Sequence, residues 1–157
     1  MFNHVGQAVT DLDRATRFYV EALGFHVERD LDVPDEHSAT LLGLDAPVDL
    51  HARYLRCGEL VIELMSFARL EARPPRVMNE PGLTHLSVSV EDFEGVADRV
   101  ESLGGEVLVR LPNALMIRDP DGQRLEILTK GYFEWAQTKG RAQGETQPRG
   151  SGTGSSS

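Results

Sequence analysis

Apolar residues recur along this chain with two different periods, and the same alternation of periods occurs twice. From His4 the sequence reads HVGQAVTDLDRATRFYVEALGF, and from His85 it reads HLSVSVEDFEGVADRVESLGGEV. At a constant offset His4 matches His85, Val9 matches Val90, Asp11 matches Asp92 and Gly24 matches Gly105. Each copy opens with period-two alternation, which predicts a strand. In the first copy Leu12, Ala15, Phe18, Tyr19, Ala22 and Leu23 then recur at helical spacing; in the second, Phe93, Val96, Val100 and Leu103 do so. Asp11 is placed to cap the first helix, Gly24 to end it, and Gly104-Gly105 to end the second.

Three strands are predicted after each helix. In the first module they span Phe25 to Leu31, Ala52 to Cys57 and Leu60 to Phe67, with Cys57-Gly58-Glu59 as a hairpin turn and a short helical insertion over His37 to Leu44. In the second they span Glu106 to Leu111, Asn113 to Arg118 and Gln123 to Lys130, with Asp119-Pro120-Asp121-Gly122 as a turn. The expected fold is α+β, with paired βαβββ modules: residues 1–67, a linker over 68–81, and residues 82–136 with a C-terminal extension. Residues 137–157 contain no aromatic residue and no Leu, Ile, Val or Met, so they are expected to form a disordered tail.

Strand alternation singles out four side chains. Val5 and Val9 share one face of the first strand and His4, Gly6 and Ala8 the other; Leu86, Val88 and Val90 oppose His85, Ser87 and Ser89. Both histidines thus sit among small or polar residues. In each module's last strand one carboxylate, Glu63 or Glu126, is isolated among aliphatic residues. A buried carboxylate is costly unless paired or metal-bound. A lone strand Glu or His is ordinarily a solvated or hydrogen-bonded residue, but one of each at equivalent places in a duplicated module points to metal binding. Two imidazoles and two carboxylates suit a divalent transition metal (Zn, Ni, Co, Mn or Fe) better than Ca or Mg.

The chain has 157 residues and a net charge of -9. The tail is net basic, so the body is more acidic than the whole, which argues against a nucleic-acid backbone as partner. No apolar run reaches the ~20 residues of a membrane span. One cysteine and a first stretch without signal-peptide character fit a cytoplasmic protein. Cys57 is expected to pack as a small hydrophobe. His26, His37 and His51 lack counterparts in the second module and read as surface residues. Arg69, Arg73 and Arg76 read as a solvated linker, with an anion anchor as the functional alternative. Tyr132, Phe133 and Trp135 read as a packed chain end or dimer contact, with a lid as the alternative. Asn113 and Met116 are placed near the expected cavity without a role.

The segments HVGQAVTDLDRATRFYVEALGF, ELVIEL, GLTHLSVSVEDFEGVADRVESLGG and DPDGQRLEIL, in this order and spacing, resemble the vicinal oxygen chelate superfamily of glyoxalases, bleomycin-resistance proteins and dioxygenases. The resemblance implies a curved mixed sheet around a metal held by His4, Glu63, His85 and Glu126, the pattern of bacterial glyoxalase I. It implies a homodimer acting on a small-molecule substrate, with the site within one chain or shared between two. The implied activity is that of a lyase, isomerase or epimerase on a small 2-oxo or vicinal-oxygen compound, through a metal-stabilised enediolate. Glu63 and Glu126 are the candidate bases, with Glu126 favoured by the resemblance. Where bacterial glyoxalase I has an arginine that grips the glutathione carboxylate, this chain has Ala8, and where it has an asparagine after the first metal glutamate, this chain has Phe67. Both differences point away from a glutathione thiohemiacetal as substrate. An extradiol dioxygenase and a non-enzymatic, drug-sequestering binder are the alternatives.

Overall fold

In the computed structural model, residues 1–32, 34–69 and 77–132 are described. The expectations for Arg73, Arg76, Phe133, Trp135 and the 137–157 tail lie outside them. Two βαβββ units form, in the order β1 (Val5–Ala8), α1 (Leu12–Leu23), β2 (His26–Leu31), α2 (Asp35–Leu42), β3 (His51–Cys57), β4 (Leu60–Ser66), β5 (Leu86–Val90), α3 (Phe93–Ser102), β6 (Glu106–Leu111), β7 (Ala114–Arg118) and β8 (Arg124–Thr129). Each unit makes its own four-stranded mixed sheet, ordered β1-β4-β3-β2 and β5-β8-β7-β6. The first strand of each unit is an edge, pairing in parallel with the last. No helix among the described residues is long and apolar enough to cross a membrane.

The helices form where their caps and stripes place them. The Asp11 carboxylate accepts from the Arg14 N–H, and Gly24 takes a left-handed conformation (φ 77°) that returns the chain to β2. Asp92 accepts from Gly95 N–H at the start of α3. The insertion α2 begins two residues before the predicted His37, because Pro34 and Asp35 already lead into it, and stops at Gly43 (φ 66°) rather than running to Leu44. It lacks an apolar stripe, burying Ser38 and Ala39 only; Asp35 Oδ1 ties it to the loop before β3 by accepting from the backbone N–H groups of Val48 and Asp49.

One face of each sheet packs inward. Ile62 and Leu64 of β4, Leu125 and Ile127 of β8, Phe18 and Tyr19 of α1 and Val96 and Val100 of α3 belong to a single hydrophobic cluster. The modules therefore share a core built through their helices. Gly104 and Gly105 divide their work: Gly104 supplies the turn (φ 85°) and Gly105 the close approach. A Cβ on Gly105 meets the Arg118 carbonyl oxygen and Phe18 Cε2 at 2.7 Å and Val100 Cγ1 at 2.8 Å. Gly105→Ala is accordingly expected to cost about 1–3 kcal/mol through overpacking. Urea unfolding measures this, and an unchanged midpoint would contradict the tight contact.

A polar cluster joins the modules beside this core. Gln7 Nε2 donates to Asp119 Oδ2 at 2.6 Å. The Tyr19 hydroxyl lies 2.9 Å from Gln7 Oε1 and 3.0 Å from Asp119 Oδ2, and its single proton serves one at a time. Asp119 Oδ1 accepts from the backbone N–H of Asp121 and of Gln123, so the Asp-Pro-Asp-Gly turn is wound around this carboxylate. Burial pushes Asp119 above the usual carboxylate range and Tyr19 well above the usual phenol range.

Candidate metal centre

Alternation puts the site on the face of each sheet opposite the shared core. Flanked by the core residues Ile62 and Leu64, Glu63 must point the other way, as Glu126 must between Leu125 and Ile127. The parallel register sets Gly6 beside Glu63 and Ser87 beside Glu126. His4 and His85 stand two residues before them, on the same faces. Gly6, Ala8, Ser87 and Ser89 are exposed there, so the small residues leave those faces open.

Each histidine lies beside its own module's glutamate. His4 Nε2 is 3.1 Å from Glu63 Oε2, and His85 Nε2 is 4.0 Å from Glu126 Oε2. Among the described residues no three His, Cys, Asp or Glu side chains gather into one metal-binding group. The four sequence-derived candidates therefore form two pairs, one per module, and the pairs do not meet within a single chain. Each pair has the donor chemistry of half a site: an imidazole nitrogen and a carboxylate oxygen already aimed at one another.

The pairs differ in what holds them. Across the first sheet Arg29, Tyr54, Glu63 and Gly6 lie in one row. Tyr54 donates its hydroxyl proton to Glu63 Oε1 at 2.8 Å, and its ring meets that of His4 edge-on at 5.4 Å. The Arg29 guanidinium stacks over the Tyr54 ring at 4.6 Å. Burial, followed by the adjoining Glu63 carboxylate, pushes the Tyr54 phenol above its usual range, which keeps it a donor. Across the second sheet the corresponding row is Val109, Met116, Glu126 and Ser87. Here a thioether stands where the phenol was, and Ser87 Oγ donates to Glu126 Oε2 at 2.7 Å. The Thr84 hydroxyl lies 2.9 Å from His85 Nδ1. Glu63 is 12% exposed at its side chain and Glu126 34%, so the second carboxylate is the freer one.

Tyr54 and Arg29 carry no role in the sequence reading. A signal for Tyr54 was present: the tight turn at Gly58-Glu59 pairs Cys57 with Leu60, and counting back along the hairpin puts Tyr54 opposite Glu63. Arg29 follows a register shift between Val27 and Arg29, which periodicity does not reveal. Of the other candidates, His26 and His37 are exposed, and His51 is exposed with its Nε2 3.5 Å from Asp49 Oδ1. Cys57 is half-buried against the core and burial pushes its thiol up, consistent with packing. Met116 lines the site face opposite Glu126, whereas Asn113 is exposed in the turn just before β7.

Comparisons with known proteins agree with this architecture. The chain is 31% identical to a lactoylglutathione lyase of Pseudomonas aeruginosa, over 82% of its own length and 81% of that protein's. It is also 31% identical to a probable chloroplastic lactoylglutathione lyase of Arabidopsis thaliana, but spans only 35% of that relative's length. Plant relatives of this kind are thus two to three times as long as the segment matched. Among solved structures, the trypanothione-dependent glyoxalase I of Leishmania major superposes with a TM-score of 0.68, covering 91% of this chain and 96% of that one at 24% identity. The family model described as Glyoxalase/Bleomycin resistance protein/Dioxygenase superfamily matches residues 1–127, and the chain belongs to that superfamily.

Proposed function

We propose that this protein is a metal-dependent lyase or isomerase of the glyoxalase I kind, acting on a small 2-oxo or vicinal-oxygen compound, with each site assembled from two copies of the chain. The observation that carries this reading is the repeated His–Glu pair, set on the open face of both sheets at equivalent register. Each pair supplies two donors, and a site built from one pair of each kind uses all four residues. The histidines stand immediately before β1 and β5, the edge strands of their sheets. Placing the β1 edge of one copy beside the β5 edge of another brings the two half-sites together.

His4, Glu63, His85 and Glu126 would hold the metal, which when bound supplies Lewis-acid polarisation of two neighbouring substrate oxygens. The two carboxylates then have separate tasks. Both oxygens of Glu63 are engaged, by Tyr54 and by His4, which suits a fixed ligand. Glu126 has one engaged oxygen and is more exposed, which suits the group that takes a proton from the carbon beside the carbonyl and returns it to the neighbouring carbon. The exposed Ala8 leaves open the strand position from which an arginine side chain would hold a glutathione carboxylate.

Elemental analysis of the protein purified without chelators tests this reading. About one divalent transition metal per chain is expected in the wild type, and loss of it in His85→Ala/Glu126→Ala. Chelation should abolish, and metal return restore, isomerisation of methylglyoxal supplied with or without glutathione. A wild type that takes up no metal would remove the catalytic reading in favour of a small-molecule binder; bound iron with oxygen consumption would replace it with a dioxygenase.

A further inference from the structure

The two half-sites use hydroxyl donors in opposite ways. In module one the phenol of Tyr54 occupies Glu63 Oε1, the oxygen turned away from His4, and leaves Oε2 beside His4 Nε2. In module two the Ser87 hydroxyl occupies Glu126 Oε2, the same oxygen that faces His85 Nε2. The difference arises from two exchanges at matched positions of the rows. Tyr54 stands where the second sheet has Met116, and Gly6 stands where it has Ser87. A donor on the far oxygen fixes the carboxylate without competing for the coordinating lone pairs. A donor on the near oxygen holds the group at the cost of sharing that oxygen.

We propose that Tyr54 is the positioning residue for metal binding in module one, anchoring Glu63 Oε1 so that Oε2 is the oxygen presented beside His4, and that Ser87 performs no such service for Glu126. This rests on the metal-site reading above. Tyr54 itself is held on the site face by its pairing between β2 and β4, by the edge-on contact with His4 and by the stacked Arg29. Glutamate has three rotatable bonds, and a ligand already fixed in its binding rotamer loses less freedom when the metal arrives.

The test is a titration of the metal-free, full-length protein with Co(II), followed by its visible absorption in competition with a chelator of known affinity. Tyr54→Phe removes one oxygen and keeps the ring. It is expected to weaken Co(II) binding by about 10–100-fold and to change the intensity of the absorption bands, while the circular dichroism of the metal-free protein stays as in the wild type. Ser87→Ala is expected to bind Co(II) as tightly as the wild type or more tightly. Wild-type affinity in Tyr54→Phe overturns the proposal and leaves the metal site standing, as does an equal loss in both variants. A wild type that binds no Co(II) overturns the metal-site reading and this inference with it. Should Tyr54→Phe fail to fold, Met116→Tyr carries the test by supplying the missing phenol opposite Glu126: tighter binding supports the inference and unchanged binding overturns it.

Discussion

Asp119→Ala is expected to lower the free energy of unfolding by about 3–5 kcal/mol, since it strands several buried partners of one carboxylate. Gln7 Nε2 and the Tyr19 hydroxyl from module one, and the N–H groups of Asp121 and Gln123 from module two, all converge on it. Asp119 is only 3% exposed, so water does not readily replace what is lost. Asp119→Asn keeps the shape and is expected to cost less, about 1–2 kcal/mol near neutral pH. The pair also carries a pH signature. Because burial raises Asp119 in the folded protein, the fold holds this proton more tightly than the unfolded chain does. The stability contributed by Asp119 is therefore complete below the ordinary aspartate value of about 3.9 and is lost as pH rises through the raised folded value. Asn has no such dependence. The stability of wild type minus that of Asp119→Asn, from urea unfolding at several pH values, should accordingly fall as pH rises from about 3.5 toward neutrality. Surface carboxylates such as Asp30 and Asp92, held low by Arg53 and Arg99, act with the opposite sign but are common to both proteins and cancel in the difference. A difference that is flat or rises with pH would show that the carboxylate is not penalised by its burial.

The same cluster marks where sequence reading stops. Helices α1 and α3, the two hairpins and both His–Glu pairs follow from short-range rules: capping aspartates, left-handed glycines, a two-residue turn and strand alternation. Each pair was legible because a parallel β1–β4 or β5–β8 ladder, once assumed from the repeat, sets the histidine two positions from the residue beside the glutamate. The expected paired βαβββ modules are present, one four-stranded mixed sheet to each. How the modules pack depends on contacts such as Gln7 with Asp119, 112 residues apart, and Phe18 against Gly105. Nothing in the local pattern of either partner announces them. The Asp-Pro-Asp-Gly segment reads as a turn from its residues alone, and only its packing reveals that its first carboxylate is the acceptor for the other module. The same limitation applies to α2, whose eight residues lack an apolar stripe and are anchored through Asp35 to a loop more than ten positions away.

Because the modules pack through their helices, whether four ligands converge in one chain or across two is open to a direct test by complementation. His4→Ala/Glu63→Ala removes one half-site and His85→Ala/Glu126→Ala the other. Each variant alone, as a homodimer, contains no complete set of four donors and is expected to lose metal almost entirely, a drop of more than about 100-fold in affinity. A mixed dimer of the two, isolated through different tags, behaves differently if sites are shared between copies. One of its two sites then combines the intact His85 and Glu126 of the first variant with the intact His4 and Glu63 of the second, and the other site has no ligands. About half of the wild-type metal content should return, together with about half of the metal-dependent activity. If each site instead formed within one chain, every chain in the mixture would still lack two ligands and nothing would return. The open faces and edge-strand positions of both pairs favour recovery.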